Sequence, residues 1–509
     1  MMKSIVRILM PGHSISADGI GLPTGGAEIT AVQLVKNEEG GFRTGDFYRV
    51  SGVIRPVDPQ GYDIQFQAGF PVEWNGRILQ YGGGGLDGTV APIEWVSLGQ
   101  SLFGPSQLSK GYISVYCDSG HQADPENYWN AGWALNQEAY ENYAFKAFKK
   151  VRDVIVALTR EMYGETPEHV YFAGGSNGGR EAMKMAQCFP QDYDGILCLS
   201  PVLDYIGKVV KDWQLGKLLR RLGDDAVLSL KEYNEKVQQV ILHICDGLDG
   251  AEDGIISDLQ GAHGKRAEVL AALEKTLNPA QLAFLREMSA DSTLSLGYGD
   301  STFPGYAVFE GAPAVDSKTN WYAADHGSVI GAESILRHMV LHDRDTDLDR
   351  FIPEEHLPEL QAASRLLDAY SADLDAFRQR GGRLILLHGC TDSLVPVESS
   401  IRYYKRLLAR YGKEALDSFV QFYTVPGFGH GMGDMFTMDT DLVAALDGWV
   451  SRGERPEALI AADANDQVSH RTRPVYPYPA WPVYDGVGDM NSAASFHPAH
   501  AKEDMNHDC

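Results

Sequence analysis

The sequence predicts an α/β fold, with a mostly parallel sheet covered by helices on both faces and a large helical insertion. From Arg77 onward, short apolar runs alternate with amphipathic helical stretches, the pattern of buried strands joined by crossover helices. That alternation lapses between Asp204 and Arg380 and then resumes. The length of 509 residues agrees, because a single uninterrupted core does not grow to that size.

Taken in order, residues 48–70 alternate with period two around turn residues Asp58, Pro59 and Gly61, which predicts antiparallel strands. The apolar runs 77–81, 112–117, 169–173, 195–199, 383–387 and 418–425 predict buried strands, and 141–163 predicts a helix between the second and third. Charged helical patterns at 217–222, 228–245, 266–277 and 279–288 fill the gap. The expected division is therefore 1–203 as the first part of the core, 204–380 as a lid domain, and 381–509 as the second part. Pro474, Pro477, Pro479 and Pro482 make the last 40 residues read as an extended wrap over the surface.

Composition narrows the function classes. The chain has 44 Lys+Arg against 69 Asp+Glu, a formal charge of −25, which repels phosphate backbones and argues against nucleic acid. No window approaches the ~20 apolar residues that cross a bilayer. The first ten residues are broken by Arg7 and do not read as a secretory signal. Cys117, Cys188, Cys198, Cys245, Cys390 and Cys509 are widely spaced, the distribution of buried thiols in a reducing compartment, and no CxxC pair stands ready for zinc. The expectation is a cytoplasmic protein acting on a small organic molecule, with neither membrane nor nucleic acid as partner.

The chemistry centres on Gly174-x-Ser176-x-Gly178, which follows a predicted strand and opens a predicted helix. That context is a nucleophile elbow, where only Gly fits at the flanks and the Ser hydroxyl stands at a helix N-terminus. A serine needs a base, and the base an orienting acid. His430 lies in a Gly-rich loop directly after the strand 418–425, and Asp392 follows the strand 383–387, completing the order Ser, acid, His of an α/β-hydrolase. A turn or helix-cap role for Asp392 competes with the catalytic one. The backbone N–H of Asn177, with those of Gly84 and Gly85 in the run of four glycines 82–85, are the candidate oxyanion donors. No Lys-Ser/Thr follows that run, as a phosphate-binding loop requires.

A second constellation places Asp246, Asp249 and Asp253 among Gly250 and Gly254. Hard oxygens around a tight loop suit Ca²⁺, although the spacing is not that of an EF-hand, and a metal-free Asp/Gly turn fits as well.

Together these residues resemble the tannase and feruloyl esterase family. The likeness runs through 74–85, 111–121, the elbow with Arg180, 189–195, 388–392, the His430 loop and 471–491. It implies that Ser176, Asp392 and His430 are the catalytic triad of an α/β-hydrolase with an inserted lid. It also implies a structural Ca²⁺ held by the carboxylates of Asp246, Asp249 and Asp253 and the carbonyls of Ala251 and Ile255. Family members carry disulfide-paired cysteines just before the Ser and the His, where this chain has Gly175 and Gly429, and Tyr476 stands where the C-terminal motif has Cys. The leading expectation is a serine esterase acting on a small aromatic ester of the hydroxycinnamate or hydroxybenzoate kind, with Trp213, Tyr298, Phe303, Tyr306, Phe309, Trp321 and Tyr322 of the lid supplying an acyl pocket. A lactonase or acyltransferase with the same triad, or a non-catalytic binding protein on the same fold, are the alternatives.

Overall fold

The structure, a computed structural model, describes residues 2–37, 45–94, 99–296, 302–313, 327–431, 435–465 and 470–500. Its centre is a ten-stranded sheet. In chain order the strands are β1 (Ser14–Ile15), β2 (Ala27–Val35), β3 (Phe47–Ile54), β4 (Ile64–Pro71), β5 (Arg77–Tyr81), β6 (Ile113–Cys117), β7 (His169–Gly175), β8 (Gly195–Leu199), β9 (Arg383–Gly389) and β10 (Val420–Val425). The spatial order is β10-β9-β8-β7-β5-β6-β4-β3-β2-β1. β5 to β10 run parallel, while β1 to β4 extend the same sheet as an antiparallel wing joined where β4 pairs with β6. The period-two stretch at 48–70 thus belongs to the core sheet.

The parallel strands have no polar face, because each alternates between two apolar layers. Val170 and Phe172 of β7, Ile196 and Cys198 of β8, and Leu384 and Leu386 of β9 pack on one side with Phe148, Val151 and Ile155 of α1 (Ala147–Tyr163). Tyr171, Ala173, Leu197, Leu199, Ile385 and Leu387 pack on the other with Leu442, Leu446 and Trp449 of the helix Leu442–Arg452. Each Val, Leu, Ile or Phe among them, fully buried, contributes about 1.5–3 kcal/mol. That two-sided burial is why these strands read as continuous apolar runs. A π-turn at Asn142–Lys146 precedes α1, so the single helix expected over 141–163 is broken at its start.

Between β8 and β9 the described regular elements are helices joined by loops, with one short antiparallel pair, Ser292–Thr293 with Thr302–Phe303. α2 (Asn177–Cys188) lies before this insertion, and α3 (Tyr205–Leu222) opens it, with the Asp204 carboxylate accepting the Gly207 N–H at 2.9 Å as N-cap. Ile206, Val209 and Trp213 on the first turns of α3 share a core with Leu86, Trp133 and Tyr143 from the sheet side. Leu215 and Leu219 on its later turns enter a second core with Tyr233, Ile241, Phe284 and Phe309, built within the insertion. The C-terminal segment is not a bare wrap. Thr472–Val475 joins a three-stranded antiparallel sheet with Met438–Asp439 and Leu459–Asp463, and Ala480–Tyr484 pairs with Phe496–His500. Pro474 lies within Thr472–Val475 and Pro482 within Ala480–Tyr484.

Registry fixes the site. Tyr81 pairs with Ala173, Gly175 with Leu199, Leu199 with Leu387, and Gly389 with Val425, so the C-terminal ends of β5, β7, β8, β9 and β10 share one edge of the sheet. The segments that follow them carry Gly82 to Gly85, Ser176, Asp392 and His430.

Candidate active site

Ser176 sits between β7 and α2 at φ +61°, ψ −124°, a conformation that costs a non-glycine residue of order 1–3 kcal/mol and is held by its surroundings. Its N–H donates to Leu199 O at 3.0 Å and its carbonyl accepts from Val202 N and Arg180 N. The glycines of the elbow are sterically required: a Cβ on Gly174 would stand 2.1 Å from Gly178 O, and one on Gly178 would stand 2.4 Å from Gly83 O. β7, α2 and the loop after β5 therefore touch backbone to backbone at the serine.

The His430 imidazole donates from Nδ1 to Asp392 Oδ2 at 2.6 Å. Asp392 is fully buried, and its Oδ1 accepts the backbone N–H groups of Leu394 and Val395 at 2.9 and 2.8 Å. Those two bonds are the turn role that competed with catalysis at the sequence level. The carboxyl fills both, one oxygen for each. Burial would raise its pKa, but His430 and His388 facing it outweigh that and hold the group well below the usual carboxylate range. His388 donates from Nε2 to Val395 O (2.9 Å) and takes the Ser400 hydroxyl on Nδ1 (2.7 Å), fixing the acid's loop from beneath. The acid and histidine loops are laced together by Cys390 N to Val425 O and Thr391 N to Phe428 O. Gly389 has no room for a Cβ, which would meet Phe428 O at 2.2 Å.

Ser176 and His430 line the same two cavities. One, of about 110 Å³, is mostly apolar and walled by Trp129, Tyr205, Val209, Ala332, Ile335 and Leu394, with Gly85 and Asn177 at its mouth. Lys208 and Asp212, ion-paired one turn apart on α3, add charge to this wall. The other, of about 430 Å³, opens past Gly83, Gly84, Leu102, Met438 and Leu442. The aromatic residues expected to wall the acyl pocket do not do so among the described residues. Trp213 packs edge-on against Phe351 (5.1 Å), Phe303 against Tyr306 (6.0 Å), and Phe309 lies under Arg266 (4.7 Å). These rings are drawn into the cores between elements, and the cavity takes its aromatic wall from Trp129 and Tyr205 instead. Tyr298, Trp321 and Tyr322 lie outside the described residues.

The glycine loop is held by its carbonyls. Gly84 O accepts Tyr128 Oη at 2.6 Å and Asp87 N at 2.9 Å, and Gly85 O accepts Tyr143 Oη at 3.0 Å. In a trans peptide the N–H points opposite to the C=O, so anchoring Gly84 O aims the Gly85 N–H away from Tyr128. The Gly83 N–H is taken by Glu181 Oε2 at 3.0 Å. Asn177 heads α2, where its N–H has no intrahelical acceptor. Sequence reasoning missed the supports, Asp87, Glu181, Tyr128, Tyr143 and His388. A carboxylate in the first turns of a helix or a tyrosine in a loop has an ordinary local role, and nothing local reports its distant partner.

In the acidic loop, Asp249 accepts the N–H groups of Ala251 (3.1 Å) and Ser257 (2.9 Å), Asp246 that of Gly254 (3.0 Å) and Asp253 that of Ile255 (3.0 Å). Burial, with the neighbouring Asp253 charge, pushes Asp246 and Asp249 up to about 6. The donor types suit a hard cation. Asp253 is also ion-paired with the Arg473 guanidinium, and among the described residues no three acidic, His or Cys side chains converge as a ready-made metal cluster.

A model of the family described as tannase and feruloyl esterase matches residues 48–499. The chain belongs to the tannase and feruloyl esterase family. It is 34% identical to an uncharacterized esterase of Agrobacterium fabrum, over 95% of this chain and 91% of that protein. It is 28% identical to the mono(2-hydroxyethyl) terephthalate hydrolase of Piscinibacter sakaiensis, over 88% of this chain and 84% of that one. Among solved structures, an esterase from Aspergillus oryzae superposes with a TM-score of 0.78 at 24% identity, covering 95% of this chain and 98% of its own. Feruloyl esterase B from the same organism gives 0.75 at 21%, again over 95% and 98%. The chain is thus an ester hydrolase with the α/β-hydrolase fold of its family.

Proposed function

We propose that this enzyme hydrolyses a small aromatic carboxylic ester through an acyl-enzyme, with Ser176 as nucleophile, His430 as general base and Asp392 as the acid that orients it. The supporting observation is the 2.6 Å His430–Asp392 hydrogen bond, with His430 and Ser176 facing the same two cavities. With Nδ1–H committed to Asp392, the neutral imidazole offers Nε2 as a base to the serine hydroxyl. Attack on the ester carbonyl places negative charge on its oxygen. The N–H groups of Asn177, Gly84 and Gly85 are the donors assigned to it, and a single such donor is worth roughly 10²–10³ in kcat. The imidazolium then protonates the departing alcohol, and water repeats the sequence on the acyl-enzyme.

The 110 Å³ cavity is assigned to the acyl group because its lining is mostly apolar and includes the rings of Trp129 and Tyr205. The larger one takes the alcohol and the entering water. That a relative is named for a terephthalate mono-ester supports an aromatic acyl group. The insertion 204–380, which roofs the first cavity with α3 and the helix Gly327–Ile335, acts as the lid. Mass-spectrometric screening of aromatic esters, aliphatic esters and lactones, with a fluorophosphonate label mapped to its serine, tests this reading. Aromatic esters turned over best and the label on Ser176 are expected; a label elsewhere overturns it.

Ca²⁺ in the loop 246–255 is proposed as a structural ion, held by the carboxylates of Asp246, Asp249 and Asp253 and the carbonyls of Ala251 and Ile255. Its support is the part-buried loop in which the Asp253 charge bears on both Asp246 and the buried Asp249. A reducing, cytoplasmic setting is proposed because all five described cysteines are unpaired thiols. Full activity in strong thiol reductant is the corresponding expectation.

A further inference from the structure

Behind the glycine loop lies a buried carboxyl pair that the reaction does not use directly. Asp87 is 2% exposed and Glu181 is fully buried. The two hydrogens of the Asn177 amide bridge them, reaching Asp87 Oδ1 at 3.0 Å and Glu181 Oε1 at 2.8 Å. The carboxyls also fill the space beside the loop. A Cβ on Gly82 would stand 2.7 Å from Glu181 Oε2, and one on Gly83 would stand 2.7 Å from the Asp87 carboxyl carbon. Glu181 Oε2 accepts the Gly83 N–H, and the Asp87 N–H closes the turn onto Gly84 O from a backbone at φ +43°.

Asp87 Oδ2 is buried without a hydrogen bond among the described residues, the nearby Ser119 hydroxyl being turned to Asp118 O at 2.6 Å. An orphan carboxylate oxygen in that position is costly, and two ionised carboxylates in contact would repel. A hydrogen held between the two carboxyls removes both penalties.

We propose that Asp87 and Glu181 share one proton and act as a positioning pair that sets the oxyanion loop 82–85 over Ser176. This rests on the loop's assigned role in the serine mechanism. With the proton the pair carries one negative charge, matched by Arg180, whose Nη2 lies 3.6 Å from Glu181 Oε1 and whose Nε donates to Asn177 Oδ1 at 2.7 Å. Arg180 is itself fixed by the carbonyls of Tyr143 and Ala144 at 3.1 and 2.8 Å. The floor beneath the developing oxyanion is then neutral. Without the proton it is negative, and repulsion drives apart the two groups against which the loop is seated. The other groups facing the pair are Tyr128, Tyr143, Tyr205 and Cys117, whose ionisation burial disfavours, and Ser119, whose hydroxyl donates to Asp118 O. Burial first, and then the mutual charge, push the Glu181 pKa well up, and burial raises that of Asp87.

The geometry makes the two conservative variants unequal. In Asp87→Asn, Oδ1 still accepts from Asn177 and the new Nδ2 replaces the oxygen that lacked a donor, now giving a hydrogen to Glu181. In Glu181→Gln, either amide placement turns an N–H against the N–H of Gly83 or the amide of Asn177. Asp87→Ala is therefore expected to lower kcat by roughly 10- to 100-fold, part of the worth of an oxyanion donor, with KM nearly unchanged. Asp87→Asn should recover most of that loss, and Glu181→Gln should fall clearly below it. The parent-minus-Asp87→Asn infrared difference spectrum at neutral pH should show the loss of one carboxylic-acid C=O band, apart from those of Asp118 and Asp368, whose pKa values burial pushes up to about 7 and 8 in both enzymes. An Asp87→Asn enzyme as impaired as Asp87→Ala, or worse than Glu181→Gln, or one that retains the acid band, overturns the proposal. These variants are read against Ser176→Ala in the same assay: turnover surviving there refutes the serine mechanism itself, a different failure. Should Asp87→Ala not fold, the ranking of the other two variants and the infrared band still decide.

Discussion

The floor and the roof of the candidate site are built by opposite means. On the floor nearly every functional group is held by two or more polar partners: Asp392 by two N–H groups and two imidazoles, Gly84 O by Tyr128 and Asp87, Glu181 by Gly83 and Asn177. The roof, from α3 and the helix Gly327–Ile335, presents Tyr205, Val209, Ala332 and Ile335 with one Lys208–Asp212 ion pair. A buried polar network has one good arrangement, because each unmade bond carries a desolvation cost. An apolar wall accepts many shapes at small cost. On the proposed mechanism, the floor fixes the chemistry and the roof is left to choose the acyl group.

The contrast is tested most strongly at the floor. Ser176→Ala is expected to abolish turnover with the circular dichroism and melting of the parent kept. His430→Ala and Asp392→Asn should each lose roughly 10³-fold or more in kcat, with a double variant hardly worse than either, because triad members act as a unit. Steady-state kinetics on one aromatic ester checks all three.

Roof substitutions should act on selectivity. Ala332, 2% exposed and on the cavity wall, is the position where a larger side chain meets the acyl group. Ala332→Phe is expected to cut kcat/KM for an aromatic acyl ester by roughly 10- to 100-fold, the ~1–3 kcal/mol of a filled hydrophobic pocket, and to spare an acetyl ester. Equal losses on both esters would mean that roof and floor are coupled.

Smaller effects concern stability. EDTA should lower the melting temperature and Ca²⁺ restore it if the ion binds the folded loop, and Asp249→Ala should abolish that response. An unchanged melt with either reagent would leave Arg473 as the counter-charge of Asp253. For Asp392, the folded carboxyl lies below its ordinary value, so its stabilisation is present above the unfolded pKa of ~3.9 and is lost as pH falls through the folded value. The melting difference between the parent and Asp392→Asn should thus shrink as pH is lowered beneath about 4.

The sheet, the elbow and the strand ends beyond which Ser176, Asp392 and His430 stand were legible because their signals are local. A strand buried on both faces shows as an apolar run, and a strand-to-helix turn that brings backbones together shows as Gly174 and Gly178. The period-two pattern also placed 48–70 as antiparallel strands, although the pattern says nothing of which sheet they join. The aromatics of the insertion were misread for a related reason. Hydrophobicity marks a side chain for burial without saying whether it faces a core or a cavity, and that depends on which helices pack beside it. The supports of the glycine loop lie further still from any sequence signal. Asp87 and Glu181 are far apart in the chain, and each has an ordinary local reading as a turn or helix residue. Only the folding of α2 beneath β5 and its loop removes both from water, and with water gone the pair has a hydrogen to share and a loop to hold.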